Sequence, residues 1–149
     1  MKSIRELLSG RPPLTVPGST SALEASRRMR DAHVGCVLIV DGDDKPLGIF
    51  TERDLMSRVV TEGRDPAAVQ VKEVMSRDPF RAEAEERVLN AALAMQDRHI
   101  RHLPVTDDGV LIGVLSLRDL LRTMLDEKQA EVSAMRAYIQ GEGESQTLP

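Results

Sequence analysis

The sequence predicts an α+β fold of two pseudo-symmetric halves, each ordered β-α-β-β-α, with a helical extension at the C-terminal end. Three observations carry this. The stretch GIFTERDL (48–55) returns as GVLSLRDL (113–120), with the two glycines 65 residues apart. Around it Met29 falls on Met95, Asp31 on Asp97, His33 on His99 and Asp41 on Asp107, each 66 residues apart. Helical and strand-like apolar spacings also alternate in the same order in both copies. The step from 66 to 65 falls in a turn, GDDKP in one copy and DDG in the other, where a deletion costs least. Such a period is too long for small solenoid repeats and marks a duplicated small domain.

Each element has its own signal. Extended pieces, Leu14-Thr15-Val16 and Phe80-Arg81-Ala82, lead into helices. Ala22, Ala25, Met29 and Ala32 recur at helical spacing in the first; Val88, Leu89, Ala92, Leu93 and Met95 do so in the second. The β-rich runs CVLIV (36–40) and HLPVT (102–106) follow, then a polar turn and a second strand, PLGIF or VLIGVL. A helix then starts near Glu52 or Leu117, and Gly63 ends the first of these. Pro104 has no N–H for a sheet, so it belongs at a strand edge or beginning and leaves backbone groups nearby free. Residues 61–75 read as a polar connector. The expected division is 1–62 for the first repeat, 63–75 for the connector, 76–125 for the second repeat, and 126–149 for a C-terminal helix and frayed tail.

Composition narrows the function classes. The 149 residues are 41% hydrophobic and 30% charged, a globular balance. No apolar run approaches the ~18 residues of a membrane helix, and MKSIRELLSG lacks a signal-peptide core. A cytoplasmic location is expected. The lone Cys36 cannot form an internal disulfide, in keeping with a reducing compartment. A net charge of −4 argues against nucleic acid as a partner. With Phe50, Phe80 and Tyr138 the only aromatics, a bound base would be held mostly by aliphatic groups and backbone.

Thr51-x-x-Asp54 and Ser116-x-x-Asp119 have two readings. A hydroxyl at an N-cap with an acid three residues on is a capping box, which satisfies orphan N–H groups at a helix start. Equally, a carboxylate at a helix start can accept both O–H groups of a cis-diol, while the helix N-terminus attracts phosphate. The two uses are compatible, because a carboxylate has about four lone-pair sites. In each copy the glycine before the hydroxyl would let the chain lie close to something flat. The basic knot RHIRH (98–102) is either a solvated helix end or a phosphate contact. Arg53 and Arg118, beside the aspartates, are either surface charges or phosphate ligands. His33-x-x-Cys36 is too sparse for a metal site, and no orienting third group makes the pair catalytic.

Both motif copies, in this β-α-β context and at this spacing, resemble CBS domains, and the tandem resembles a Bateman module over roughly residues 1–125. The resemblance implies paired motifs packed about a pseudo-two-fold axis, with clefts that bind adenosine-containing ligands of the AMP, ADP and ATP class. It implies that Asp54 and Asp119, helped by Thr51 and Ser116, accept the ribose hydroxyls. Backbone and aliphatic groups around Cys36-Val37-Leu38 and His102-Leu103-Pro104 would border the base, and Ile49, Phe50, Val114 and Leu115 would line the other wall. Phosphate would meet Arg101 and His102, positions held by Gly35 and Cys36 in the first copy, so unequal clefts are expected. The implied protein is a regulatory module rather than an enzyme. It requires no cofactor or metal, takes an adenine nucleotide as regulatory ligand, and acts as a homodimer on a regulated protein yet to be identified, without nucleic acid or membrane. The alternative is a ligand-free CBS scaffold for dimerisation or docking. Leu55, Met56, Val59 and Val60, with Leu120, Leu121, Met124 and Leu125, offer more apolar surface than one helix face needs, which suits dimerisation. Leu121, Leu125, Val132, Met135 and Ile139 continue the apolar seam. Leu125, Val132 and Ile139 are spaced by seven, too few heptads for an independent coiled coil but enough for a helix laid on a partner, and GEGESQTLP is expected to fray.

Overall fold

Each half builds its own sheet and its own core. The computed structural model describes residues 2–8, 10–43 and 45–145, with side chains through Gly141. The elements are α1 (Ile4–Leu7), β1 (Thr15–Pro17), α2 (Ala22–Ala32), β2 (Cys36–Val40), β3 (Pro46–Thr51) and α3 (Glu52–Asp54), which continues as a π-helix over Leu55–Val60. Then come α4 (Val71–Val74), β4 (Ser76–Arg77), β5 (Ala82–Glu83), α5 (Val88–Arg98), β6 (His102–Asp107), β7 (Val110–Ser116) and α6 (Leu117–Ser145). The first sheet is ordered β1-β2-β3-β4 and the second β5-β6-β7.

The duplication is visible in the register. Ile39 faces Gly48 in one hairpin and Val105 faces Gly113 in the other, each followed by a β-bulge. The second hairpin closes on Asp108-Gly109, both at positive φ, the tight-turn chemistry that the shorter DDG allows. Helices α2 and α5 end on His33 and His99, both in the left-handed conformation that stops a helix. The aligned histidines thus have a structural role. On α2, Ala22, Ala25 and Met29 are buried; on α5, Val88, Ala91 and Met95 are. Leu89 and Leu93, expected on the buried face of α5, are instead exposed at 43% and 49%. They lie one position off the stripe that meets the sheet.

Pro104 sits third in β6, not at its start, and is buried. Strand β5 pairs with β6 only from Ala82 and Val105 onward, so Pro104 is nevertheless unpaired on that side. In the first half the matching Leu38 N–H donates to the Leu14 carbonyl at 2.9 Å. Proline forbids that bond. The Phe80 carbonyl therefore has no backbone donor among the described residues.

The connector is less polar than its composition suggests. Val69, Val71, Val74 and Met75 are buried in the first half's core. Ile4, with no exposed surface, is buried in the second half's core, with Leu7 and Leu8 against it. The two short leader helices thus cross over. Ile4 N–H donates to Glu86 O (3.0 Å) and Arg5 N–H to Ala84 O (2.9 Å), as Val71 N–H donates to Thr20 O (2.8 Å) and Lys72 N–H to Gly18 O (3.1 Å). Arg5 also clasps Glu85 (2.6 Å) and Asp107 (2.8 Å), which raises its guanidinium pKa further.

This exchange explains the motif glycines. A Cβ on Gly48 would lie 2.5 Å from Met75 Sδ and 2.7 Å from the Ser76 carbonyl, and one on Gly113 would lie 3.0 Å from the Leu8 side chain. What the glycines admit is the crossed-over leader. Gly48→Ala is expected to destabilise the protein by roughly 1–3 kcal/mol, since a backbone oxygen cannot rotate away. Gly113→Ala, which meets only the branched end of Leu8, is expected to cost clearly less. Urea unfolding of the two variants decides this, and equal losses would rule out the crossing as the cause.

Finally, α6 passes the expected break at Gly141 and stays helical to Ser145. Residues 146–149, the rest of the expected frayed tail, lie outside those described. Among the described residues, no helix is long and apolar enough to cross a membrane.

Candidate functional site

Strand alternation sorts the expected lining residues into two sets. Val37 and Phe50 lie in the first half's core, and Leu103 and Leu115 in the second's, so their side chains face away from the other half. Cys36, Leu38 and Ile49 form a separate apolar patch, against which Leu111 and Val114 of the second half pack. This is the seam between halves. Only backbone atoms of the first set could border a ligand there.

The two motif ends differ. In the first, the Thr51 hydroxyl accepts the Asp54 N–H (3.2 Å) and the Asp54 carboxylate accepts the Thr51 N–H (3.0 Å), a closed capping box. Asp54 is 6% exposed, and its other oxygen lies 3.7 Å from Arg58 Nε. Arg58 in turn donates to the carbonyls of Val74 (3.2 Å) and Met75 (2.9 Å), anchoring the crossed-over leader. One Asp54 oxygen thus takes the capping bond while the other faces Arg58.

In the second, the Ser116 hydroxyl accepts the Asp119 N–H at 3.1 Å, so the cap is made. The Asp119 side chain is exposed, and its carboxylate takes no hydrogen bond or ion pair from the described residues. Ser116 pairs across the strands with His102, as Thr51 pairs with Cys36.

His102 reaches across the seam. A Cβ on Gly35 would lie 2.8 Å from His102 Nε2 and 3.6 Å from the Glu52 carboxyl carbon, so a side chain there would displace the end of the imidazole. Burial lowers the His102 pKa, and Arg101 adds to this, while Glu52 and Asp119 oppose it. One mouth of the seam thus gathers Gly35 and Glu52 from the first half with Arg101, His102 and Asp119 from the second. Arg101 is exposed. The rest of the basic knot serves the fold: Arg98 stacks over Phe80 at 3.9 Å, and His99 ends the helix. Arg53 and Arg118 are both exposed.

Sequence reasoning gives Glu52 and Arg58 no role at the site, and Gly35 enters it only as the first copy's counterpart of Arg101. Glu52 stands where the second copy has Leu117, and that break in the repeat was the available signal. Among the described residues no three His, Cys, Asp or Glu side chains are grouped to hold a metal.

Burial, with Glu52 as a secondary cause, pushes the Cys36 thiol from an ordinary 9.0 up to about 12. The folded chain therefore keeps this proton over a pH range in which the unfolded chain releases it. Stability is expected to fall as pH rises from 9 towards 12, by at most about 1.4 kcal/mol per pH unit from this group. Cys36→Ser should lack that component when unfolding free energies are compared across the range. Identical pH slopes for the two proteins would contradict the assignment.

Comparison with known proteins bears on this arrangement. The CBS domain model matches residues 4–61 and 71–126. An uncharacterized protein of Methanopyrus kandleri is 38% identical over 119 residues, 79% of this chain and 58% of that protein, so the chain spans under three fifths of that relative. A CBS domain protein from Pyrobaculum aerophilum, solved in complex with AMP, superposes with a TM-score of 0.73 at 29% identity, covering 79% of this chain and 89% of that one. The CBS domain pair of protein MJ0100, in complex with 5′-methylthioadenosine and S-adenosyl-L-methionine, gives a TM-score of 0.78 at 25% identity, covering 85% and 98%.

Proposed function

The chain belongs to the CBS-domain family, and on that premise we propose that it is a regulatory module that binds an adenosine-containing ligand at the seam between its halves. Relatives of the same fold bind AMP, or 5′-methylthioadenosine and S-adenosyl-L-methionine. The observation that carries the reading here is the free, exposed carboxylate of Asp119, placed beside Ser116, His102 and Arg101. A carboxylate with open lone pairs at a helix start suits the two hydroxyls of a ribose. Arg101 and His102 supply the donors that a phosphate needs. The protein works by binding and not by catalysis, requires no cofactor or metal, and acts in the cytoplasm on a regulated protein.

It acts as a homodimer. Met56 and Val60 in one half, and Leu121, Met124 and Leu125 in the other, are exposed at 38–69%. They are the apolar surface that a second copy would cover. Ligand biases the arrangement of the halves by binding one arrangement more tightly than another.

The test is a melting screen of the full chain against AMP, ADP, ATP, S-adenosylmethionine, 5′-methylthioadenosine and NADH. A ligand at a hundred times its dissociation constant stabilises by about 2.7 kcal/mol, a shift of several degrees. The second reading, a ligand-free scaffold, is favoured at the first motif by the closed Asp54 box. Absence of a shift with every ligand would establish it for the whole chain.

A further inference from the structure

From residue 124 onward every described α6 side chain is exposed, yet the helix carries a regular apolar seam. Leu125, Val132 and Ile139 recur at intervals of seven, as do Leu121, Lys128 and Met135 four or three residues away. Leu125, Met135 and Ile139 are exposed at 69%, 62% and 66%, and Val132 at 40%. This is the two-position heptad pattern of a coiled-coil stripe, with Lys128 as its one polar member.

The residues beside the stripe select the partner and its direction. One flank is Arg122, Gln129 and Arg136; the other is Met124, Glu131 and Tyr138. In a parallel pair each flank faces the opposite flank of the other helix, five residues on. Glu131 then meets Arg136 of the second copy, twice over by symmetry. An antiparallel pair sets like flanks together. Arg136 would meet only Gln129 or Arg122, with no acid to answer it. In register the two Lys128 side chains share one layer of the seam, a like-charge cost of the parallel pair that each limits by turning out towards Glu131 of its own helix, 3.4 Å away.

We propose that residues 121–139 of α6 pair in parallel and in register with the same segment of a second copy, and so fix a dimer in which like halves lie side by side. This rests on the homodimer proposed above. The chemistry of the seam supplies its orientation.

Full-length Leu125→Cys and Ile139→Cys variants test it, since the buried native thiol stays out of exchange. Matching stripe positions in a parallel pair lie about 6 Å apart at Cα, within disulfide range. With diamide each variant is expected to cross-link to itself in high yield. Arg136→Glu should weaken dimerisation by roughly 3- to 10-fold in sedimentation equilibrium, and adding Glu131→Arg should restore most of it. If the wild-type chain is dimeric but only a mixture of the two cysteine variants cross-links, the parallel seam is wrong while the homodimer survives. If the dimer forms and no combination cross-links, α6 is not the contact. A monomer at tens of micromolar overturns both.

Discussion

Ile4→Ala is expected to destabilise the protein by about 2–5 kcal/mol, the range for truncating a fully buried isoleucine. Ile4 has no exposed surface and belongs to the second half's cluster with Ala82, Val88, Met95, Leu103 and Leu115. The location of the damage is the sharper test. In hydrogen exchange, protection should fall first in β5, β6 and β7, some 80 or more residues along the chain. Strands β1 to β3, next to Ile4 in sequence, should keep theirs until global unfolding. Loss of protection in β1 to β3 with β6 and β7 spared would show that each leader stays with its own half.

The second large effect concerns the two motif aspartates, which are expected to fail in different ways. Asp119→Ala removes an exposed carboxylate with no protein partner, so it should leave the melting temperature nearly unchanged. If that carboxylate accepts ribose hydroxyls, nucleotide affinity should fall about 10- to 150-fold, the range for a lost hydrogen bond to a charged group. Asp54→Ala opens the capping box and releases Arg58 from the carboxylate. It should cost about 1–2 kcal/mol of stability and largely spare nucleotide binding. Calorimetry and thermal melts on both variants decide this. Equal affinity losses would mean equivalent clefts, and an affinity loss confined to Asp54→Ala would reverse the assignment.

The order of elements was legible because apolar periodicity reports it directly. CVLIV, PLGIF and the α2 stripe each have the length and spacing of the element they form. The repeat made the reading firmer, since two weak signals in register amount to a strong one. What escaped was long-range. IRELL and VKEVM are short enough to pass for leader and connector, although both follow the same pattern of apolar, basic, acidic, apolar, apolar. Nothing local in either says which half it will join.

The site was legible in its residue types and not in its geometry. Taking consecutive strand positions enrolled Val37, Phe50, Leu103 and Leu115 with their neighbours, although alternate side chains must face opposite ways. The difference between Asp54 and Asp119 depends on Arg58, one turn further along the helix, whereas the second copy has Thr123 at that place. The π-helix over Leu55–Val60 had no sequence signal that could be separated from an ordinary helix.

The exchange of leaders has a consequence for how the chain comes to be folded as it is made. Synthesis proceeds from the N-terminus at about 5–20 residues per second. The first half can close once Met75 has emerged, because its plug is the segment that follows it. Ile4, by contrast, must wait for a cavity that does not exist until β7 and the start of α6 have been synthesised. For several seconds Ile4 stays uncovered, although it is made before every other member of the cluster that buries it. A chain cut after residue 62 would lack Val69, Val71, Val74 and Met75 from its core, and one beginning at residue 76 would lack Ile4. The first half's core is complete once residues through Met75 are made, whereas the second's is never complete without a segment that precedes the first half.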